Sequence, residues 1–403
     1  MITTLALILF WLSVALMFHS YVLYPLLLQL FAIGKKENEI VFAKQEEQLP
    51  DVYVVFAAYN EEKVIREKLE SIFNTTYSLS KVKVYIGSDN STDGTNEIVN
   101  EFAAKYTQLT FVSFTGRNGK AGVLNKLVNS IKQQGIDEVN SVFIFTDANV
   151  MFTPEVIFEM VKHFKNEGIS QVAANILNKG EKQDGISVQE KSYIQRENKT
   201  KYLEGLNWGS MMGAFGACYA MRASEWKEIP PNYLMEDFYL SMNVLSKNKK
   251  AISELKAVCF EDVSNEIEEE FKRKTRIQAG NFQNLSAYWN LLFRFDAVAF
   301  CFLSHKVIRW FGPVFILGAY AANILLLPGN WFYQCTFVLQ NLLLVSPVLD
   351  IAFKSVGIHL TILRFASYFI MMNIALVKGF AMYVKGVKTS AWNPTKRNLP
   401  PTP

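Results

Sequence analysis

Residues 51–60 read DVYVVFAAYN, a short apolar run that ends in polar residues. Three later segments have the same form: KVKVYIG at 81–87, LTFVSF at 109–114 and SVFIFT at 141–146. Each run has the length of a strand and is bounded by polar or turn-forming residues, so each predicts a buried β-strand.

Helical patterns alternate with these strands. Two sets of apolar residues each fit one helix face: Ile65, Leu69, Ile72 and Phe73, and then Leu124, Leu127, Val128 and Ile131 at i, i+3, i+4 and i+7. The alternation predicts an α/β fold with a mainly parallel sheet and helices on both faces. In such folds the ligands bind at the carboxyl ends of the strands.

The composition narrows the class of protein. Half of the 403 residues are apolar, 19% are charged and the net charge is +4, which excludes a disordered chain and a nucleic-acid binder defined by its charge. The four cysteines are widely spaced, which argues against a disulfide framework or a structural zinc site and fits a reducing compartment.

The apolar residues are concentrated at the two ends of the chain. Residues 4–33 are almost uncharged and long enough to cross a bilayer, and they lack the basic start and cleavage site of a signal peptide. We therefore predict a retained anchor within residues 1–36. Lys35 and Lys36 follow it, so the positive-inside rule places the next segment in the cytoplasm. Residues 37–50 are predicted to be a linker and residues 51–295 a soluble domain.

Residues 296–390 are predicted to form transmembrane helices, with spans near 308–328, 331–350 and 362–384, followed by a basic tail at 391–403. Three spans would place that tail outside the cell, so either one span is re-entrant or interfacial or the count is wrong. His305, Lys306 and Arg309 precede the first of these spans, where a basic belt at the membrane interface is expected.

Polar residues follow the first two strands. Tyr59, Asn60 and Glu61 follow the first strand, where Asn60 could cap a helix, and Asp89 ends the second, where it could cap a helix or accept hydrogen bonds from a ligand. Residues 116–120, GRNGK, open the next helix. Their spacing is not that of a P-loop, but backbone N–H groups and Lys120 at a helix start predict an anion site.

Three further motifs carry candidate chemistry. Asp147 and Asn149 follow the fourth strand, where two oxygen ligands could hold Mg²⁺ or Mn²⁺ or merely form a turn. Glu236 and Asp237 begin a helix, as caps or as a general base. A basic cluster precedes Gln283 and could clamp a diphosphate or lie on the membrane surface: Lys272, Arg273, Lys274 and Arg276.

The motifs are weak singly, but their order is informative. The series YNE, SDNSTDGT, GRNGKAGVLN, DAN, GAFGACYAMR, EDF and RKTRIQAGNFQ resembles the membrane-bound family 2 glycosyltransferases, the group that includes cellulose, chitin and hyaluronan synthases. The resemblance covers about residues 51–290 and implies a GT-A nucleotide-sugar-binding domain flanked by transmembrane helices.

The resemblance also implies roles for the site residues. Those that would bind the UDP-sugar donor are Tyr59, Asn60, Glu61, Asp89, Lys120, Asp147 and Gln283. Asp147, with Asn149, would hold the divalent metal, Asp237 in its pair with Glu236 would be the general base, and Arg276 would lie near the diphosphate. The implied enzyme is an inverting hexosyl- or N-acetylhexosaminyltransferase that acts on a hydroxyl of a glycan or lipid-linked acceptor.

Two departures from the family pattern bear on this reading. Asn149 replaces the second aspartate of the metal motif, which should weaken metal binding. Arg273 and Ile277 stand at the Gln and Trp positions of the Q-x-x-R-W motif, which puts processive synthesis in doubt. The expected setting is surface polysaccharide biosynthesis in a bacterial inner membrane, with membrane lipid as a neighbour and no nucleic acid. Sugar transfer to polyprenyl phosphate and a non-catalytic nucleotide-sugar sensor remain as alternatives.

Overall fold

The computed structural model describes residues 1–179, 187–262 and 267–392. The predicted tail at 391–403 therefore lies outside the described residues from residue 393 onward. The predicted boundaries of the linker, the domain and the C-terminal region stay predictions.

A single eight-stranded sheet forms the centre of the domain. Its strands are β1 Asp51–Ala58, β2 Val82–Asp89, β3 Leu109–Phe114, β4 Ser141–Thr146, β5 Val150–Phe152, β6 Ile169–Lys179, β7 Cys218–Arg222 and β8 Lys250–Asp262. Their order is β3-β2-β1-β4-β7-β6-β8-β5. The first four strands are parallel to one another, whereas β7 is antiparallel to both neighbours. The four strands predicted from the apolar runs are confirmed.

The helices of the chain are α1 Ile2–Phe18, α2 Tyr24–Phe31, α3 Ile65–Phe73, α4 Thr95–Lys105, α5 Gly119–Gln133, α6 Val156–Val161, α7 Ser187–Trp208, α8 Glu236–Ser246, α9 Ile267–Tyr288, α10 Ala297–Cys301, α11 Ile308–Trp310, α12 Gly312–Leu326, α13 Trp331–Ser355 and α14 Thr361–Val384. A π-helical turn joins α1 to α2, and another joins α10 to α11.

Apolar side chains cover both faces of the sheet. On one face Val52, Val54 and Phe56 of β1 pack in the core that contains α3. On the other, Tyr53 and Val55 pack in the core that contains α5 and extends to residues of the apolar terminal helices. The predicted α/β class with helices on both faces is therefore confirmed, and the second core joins the domain to those helices.

Among the described residues, three helices are long and apolar enough to cross a membrane: Ile2–Phe31, Trp331–Ser355 and Thr361–Val384. The span predicted near 308–328 differs from the structure. It is part of a pair, Ala297–Trp310 and Gly312–Leu326, that is bent by 63°. The second member, α12, runs antiparallel to α1. A Cβ at Gly312 would lie 3.9 Å from Met17 Sδ, and one at Gly318 would lie 3.2 Å from Ser13 Oγ, so a later residue of α12 faces an earlier residue of α1.

The last apolar helix, α14, lies along α9. The ring centroids of Phe282 and Phe380 are 4.8 Å apart, and Tyr383 stacks on the same phenylalanine at 5.8 Å. A Cβ at Gly379 would lie 2.5 Å from the carbonyl oxygen of Thr275, so the two backbones approach closely. One face of this apolar helix is therefore covered by protein.

A row of three buried carboxylates on α7 holds the terminal helices. Glu190, Glu197 and Glu204 are spaced seven residues apart, two turns of helix, and are each at most 3% exposed. Glu190 accepts from Tyr368 of α14, and Glu204 accepts from Tyr24 Oη of α2 at 2.6 Å. We call these three residues the carboxylate row.

The expectation of a basic interface belt is wrong for His305. Its side chain is fully buried between Glu204, 2.7 Å from Nδ1, and Glu197, 3.0 Å from Nε2. Glu197 also pairs with Lys306 and Arg309. These basic side chains are turned toward α7 because its buried carboxylates require counter-charges.

Candidate active site

The turn after β2 is organised by Asp89. This carboxylate is fully buried and accepts hydrogen bonds from the backbone N–H groups of Asn118 at 2.6 Å and Gly119 at 3.0 Å, and from Arg117 Nε at 3.1 Å. The predicted anion site at the start of α5 is therefore filled from within the chain, because Asp89 takes its N–H groups. A uridine contact by Asp89 stays a prediction.

The residues after β1 line the same edge of the sheet. The guanidinium carbon of Arg117 lies 3.3 Å from the centroid of the Tyr59 ring. Asn60 has a positive φ of 52°, and its Oδ1 accepts from the N–H of Thr92 at 2.8 Å. The N–H of Glu61 donates to Thr95 Oγ1 at 2.8 Å. Asn60 and Glu61 thus tie the loop after β1 to the loop after β2, beside the partly buried side chains of Tyr59 and Arg117.

Lys120 joins the ends of two other elements. Its Nζ lies 2.6 Å from Asp147 Oδ1, at the end of β4, and 2.6 Å from Glu236 Oε1, at the start of α8. Burial disfavours the ammonium, but the two carboxylates outweigh it and hold the pKa of Lys120 well above its ordinary range. The structure therefore brings together three residues that are spread over more than a hundred positions of the sequence.

Asp237 lies beside this ion-paired group. Its side chain is 5% exposed, and Phe238 N donates to its Oδ1 at 2.7 Å. Burial and the neighbouring Glu236 carboxylate raise the pKa of Asp237 to about 6. A carboxylate with such a pKa accepts a proton readily near neutral pH.

The glycine-rich loop, residues 209–217, packs against this carboxylate. Gly213 has a φ of +80°, and a Cβ there would lie 2.4 Å from the ring of Phe238. A Cβ at Gly216 would lie 3.0 Å from Asp237 Oδ2 and 3.4 Å from Lys120 Nζ. Gly213 and Gly216 thus let the backbone of the loop approach Phe238, Asp237 and Lys120 more closely than a residue with a Cβ would allow.

Arg276 is the member of the basic cluster that faces the site. Its Nη2 donates to the carbonyl oxygen of Ser390 at 2.9 Å, and Nε is buried without an acceptor among the described residues. Burial lowers the pKa of Arg276, although the charges of Glu236 and Asp147 oppose this shift. An unpaired N–H beside two carboxylates suits an anionic ligand oxygen.

The other basic residues of the cluster have partners elsewhere. Arg273 lies 2.6 Å from Glu190, and Lys274 lies 3.1 Å from Glu270. Gln283 also differs from its predicted use. Its Nε2 donates to the carbonyl oxygen of Asn232 at 3.0 Å, and its Oε1 accepts from Leu234 N at 3.1 Å. Gln283 thus holds the loop before Glu236, and a nucleotide contact by Gln283 stays a prediction.

Sequence reasoning missed the segment that follows α14. A Cβ at Gly119 would lie 2.2 Å from Ser390 Oγ, and Arg117 donates to the carbonyl oxygen of Trp392. The Trp392 ring meets the Tyr59 ring edge-on at 6.3 Å. The segment therefore lies over the predicted nucleotide site. No local pattern indicated this contact, which joins residues about 270 positions apart.

The candidate metal ligands lie at the edge of the sheet. Asp147 keeps 34% of its side chain exposed, and Asn149 Nδ2 lies 3.4 Å from Glu261 Oε1, which leaves the amide oxygen of Asn149 available. In the described part of the chain no group of three or more His, Cys, Asp or Glu side chains forms a ready metal site. Oxygen atoms of a ligand would have to complete the coordination.

The comparisons with known proteins find similarity to one family. Residues 53–227 match the family model described as glycosyl transferase family 2. The matched residues contain β1, Asp89, Lys120, Asp147 and the glycine-rich loop. The narrower resemblance to cellulose, chitin and hyaluronan synthases stays a prediction.

Two curated relatives match parts of the chain. A probable glycosyltransferase, YdaM, of Bacillus subtilis is 40% identical over 81 residues, which are 19% of each chain. A beta-monoglucosyldiacylglycerol synthase of Nostoc sp. is 33% identical over 126 residues, which are 31% of this chain and 25% of the relative. The chain thus matches about a fifth to a quarter of the length of these relatives.

A solved structure shares the fold over nearly the whole chain. It is a mannosyltransferase from Pyrobaculum calidifontis in complex with GDP-Man and Mn²⁺. The two chains are 19% identical, with a TM-score of 0.66, and the similarity covers 93% of this chain and 99% of the other. The GT-A-like fold is therefore shown.

We predict that Asp89→Asn destabilises the domain. The amide would turn a donor toward the N–H groups of Asn118 and Gly119, with an expected loss of about 2–4 kcal/mol in the free energy of unfolding. Thermal unfolding in detergent measures this loss. The matched control is Asp51→Asn, at the exposed start of β1. If Asp89→Asn unfolds at the wild-type temperature, this role of Asp89 is wrong.

Proposed function

We propose that the protein is an inverting glycosyltransferase that moves a sugar from a UDP-sugar to a hydroxyl of a glycan or lipid-linked acceptor. The family 2 domain and the fold support nucleotide-sugar chemistry. The relative that is named a glycolipid synthase favours a lipid acceptor. Surface polysaccharide biosynthesis, and the choice between a hexose and an N-acetylhexosamine, stay predictions.

One observation carries this proposal: Lys120 binds two carboxylates, Asp147 and Glu236, directly beside Asp237 and Arg276. Two cations thus face three carboxylates next to Gly216. The cations suit the diphosphate of a donor, and a buried carboxylate with a pKa of about 6 suits the deprotonation of an acceptor hydroxyl.

The reaction step then follows from these positions. Asp237 takes the proton of the acceptor hydroxyl, and the oxygen forms a bond to the anomeric carbon of the sugar. The bond from that carbon to the diphosphate oxygen breaks, and UDP leaves with the electron pair. Lys120 and Arg276 stabilise the charge that develops on UDP. One in-line displacement inverts the anomeric centre, so no covalent enzyme intermediate is needed.

The charge balance of the site fits a divalent metal. Three carboxylates already exceed two cations, so a diphosphate would add negative charge that the chain does not neutralise. Asp147 and Asn149 would hold Mg²⁺ or Mn²⁺ with oxygens of the diphosphate, in keeping with their oxygen chemistry. The metal would supply the missing positive charge beside the leaving group.

We also propose how the chain lies in the membrane, with the domain in the cytoplasm of a bacterial cell. Ser390 and Trp392 contact the domain, so the segment after α14 lies on the same side as the domain. An even number of crossings must therefore separate them. We propose that the helix Ile2–Phe31, the bent pair that ends in α12, and α13 cross the bilayer. The helix α14 is long enough to cross, but we propose that it lies at the interface along α9, which it contacts. This is one of the two resolutions left open by the sequence.

The first prediction for this function concerns Asp237→Asn. Loss of the base should lower the rate of UDP release with acceptor by about 100- to 10,000-fold. The assay uses the full chain in detergent, a panel of UDP-sugars and then GDP-mannose, with Mg²⁺ or Mn²⁺. Asp51→Asn, at the opposite end of β1, should keep wild-type activity. Undiminished sugar transfer by Asp237→Asn would contradict the role of Asp237 as general base and favour an anionic acceptor such as polyprenyl phosphate.

The second prediction concerns pH. Because the pKa of Asp237 is raised to about 6, its carboxylate is ionised above that pH and protonated below it. The kcat/KM value should therefore fall about tenfold for each pH unit below 6. An ordinary exposed aspartate would keep its charge to about pH 4. Rate measurements from pH 5 to 8 test this, and a flat profile down to pH 5 would count against Asp237.

The third prediction concerns the membrane arrangement. In a Cys335→Ser background the remaining three cysteines are buried. A membrane-impermeant maleimide should label Gly329→Cys in intact cells, because residue 329 lies in the outer turn between α12 and α13. It should label Lys388→Cys only after permeabilisation. Labelling of Lys388→Cys in intact cells would show instead that α14 crosses the bilayer.

A further inference from the structure

Lys201 is a buried cation to which the proposed reaction gives no role. It lies on α7 between Glu197 and Glu204, and 4% of its surface is exposed. Its Nζ lies 3.3 Å from the centroid of the Phe215 ring. Within residues 1–179, 187–262 and 267–392, neither a carboxylate nor another hydrogen-bond acceptor pairs with this Nζ. Burial of an ammonium group whose direct neighbour is only an aromatic ring is unfavourable in free energy, which points to a partner outside the chain.

The nearest carboxylates are already engaged. Glu197 binds three basic side chains, and Glu204 binds Tyr24, His305 and the N–H of Met212. Burial and the charge of Lys306 lower the pKa of Lys201 to about 7. The charges of Glu197, Asp237 and Glu204 oppose this shift, but none of these carboxylates forms a hydrogen bond or ion pair with the Nζ, so the ammonium lacks a direct partner among the described residues.

Lys201 lies close to the proposed base. Phe215, which contacts its Nζ, precedes Gly216, which lies against Asp237 Oδ2. The charge of Lys201 lowers the pKa of Asp237, in opposition to burial and to Glu236, so the two groups interact electrostatically. Phe215 and Gly216 are consecutive, so an anion bound at Lys201 would lie close to an acceptor hydroxyl that reaches Asp237.

The position also faces the membrane side of the domain. The basic residues Lys306 and Arg309, which share Glu197 with this region, immediately precede α12. The donor diphosphate has its own cations, Lys120 and Arg276, across the loop. The partner of Lys201 is therefore better sought on the acceptor than on the donor.

We propose that Lys201 binds a phosphate group carried by the lipid acceptor, on the membrane side of Asp237. This inference rests on the proposed function, which supplies the acceptor and the base. A compact ammonium with three rotatable donors suits a phosphate group. The phosphate would hold the lipid headgroup while a hydroxyl of the same lipid reaches Asp237.

The test compares two water-soluble lipids that differ only in the phosphate: dihexanoyl phosphatidic acid and dihexanoylglycerol. Binding to the full chain in detergent is measured by thermophoresis. Wild type should bind the phosphate-bearing lipid more tightly, and Lys201→Met should lose about 10- to 100-fold of that affinity, the worth of one charge-assisted hydrogen bond. Lys201→Arg should retain most of it.

Lys199→Met is the matched control. Lys199 is an exposed lysine two positions away on the same helix, so its substitution should leave lipid binding unchanged. An equal loss of lipid affinity in Lys199→Met would show a general effect of surface charge and would overturn the proposed site at Lys201. Inorganic phosphate separates the two sources of the ligand: if it binds wild type as tightly as the lipid does, the lipid assignment is wrong.

Two more measurements keep the outcomes distinct. UDP binding should be unchanged in Lys201→Met. A loss of UDP binding in this variant would show that Lys201 binds the nucleotide-sugar donor and would overturn the proposal. Wild type that binds no UDP would contradict the proposed function itself. Because Lys201 has no internal ion pair, Lys201→Met and Lys201→Gln should unfold at or above the wild-type temperature. A large drop in both variants would reveal an internal partner and contradict the inference.

Discussion

Three buried carboxylates on one face of α7 determine how the apolar helices attach to the catalytic domain. A buried carboxylate is costly unless it is paired, so Glu190, Glu197 and Glu204 each require a partner from outside α7. Different segments provide these partners: α14 and α9 at Glu190, the residues before α12 at Glu197, and α2 at Glu204. Apolar packing alone is non-directional. These charged and hydrogen-bonded contacts therefore fix the position and rotation of helices that would otherwise slide on one another.

The same row reaches the reaction centre. Glu204 Oε1 accepts from Tyr24, while its Oε2 accepts from the N–H of Met212 in the glycine-rich loop. That loop places Gly216 against Asp237. The first apolar helix and the loop beside the base are thus held by two oxygens of one carboxylate. A displacement of α2 would remove one of the two hydrogen bonds that hold Glu204 Oε1, the other being to His305, so the attachment of α2 and the geometry beside Asp237 are physically coupled.

The sequence predicted the strands and the helices between them because those signals are local: apolar runs of strand length and apolar residues at helical spacing. It also predicted that Lys120, Asp147 and Asp237 belong to one site, through motif order. It did not predict how polar groups choose partners over long separations. Asp89 takes the N–H groups of α5 that were expected to bind an anion, and His305 lies between two carboxylates about a hundred residues away. Each such residue type has several possible uses, and only the tertiary structure selects one.

Two lysines on either side of the glycine-rich loop have opposite surroundings. Lys120 is neutralised by two carboxylates, so an anionic donor gains little there unless it brings positive charge of its own. No carboxylate among the described residues forms an ion pair with Lys201, although the charges of Glu197, Asp237 and Glu204 act on it, so an anion there would be its first direct partner. The two sides of this short stretch of backbone therefore differ: carboxylates pair with Lys120 on one side, and none among the described residues pairs with Lys201 on the other. Asp237, with its raised pKa, lies between the two sides. Such departures from the rule that buried charges are paired are expected where a chain binds charged ligands, and here Lys201 lies close to Asp237, a carboxylate whose raised pKa suits it to take a proton.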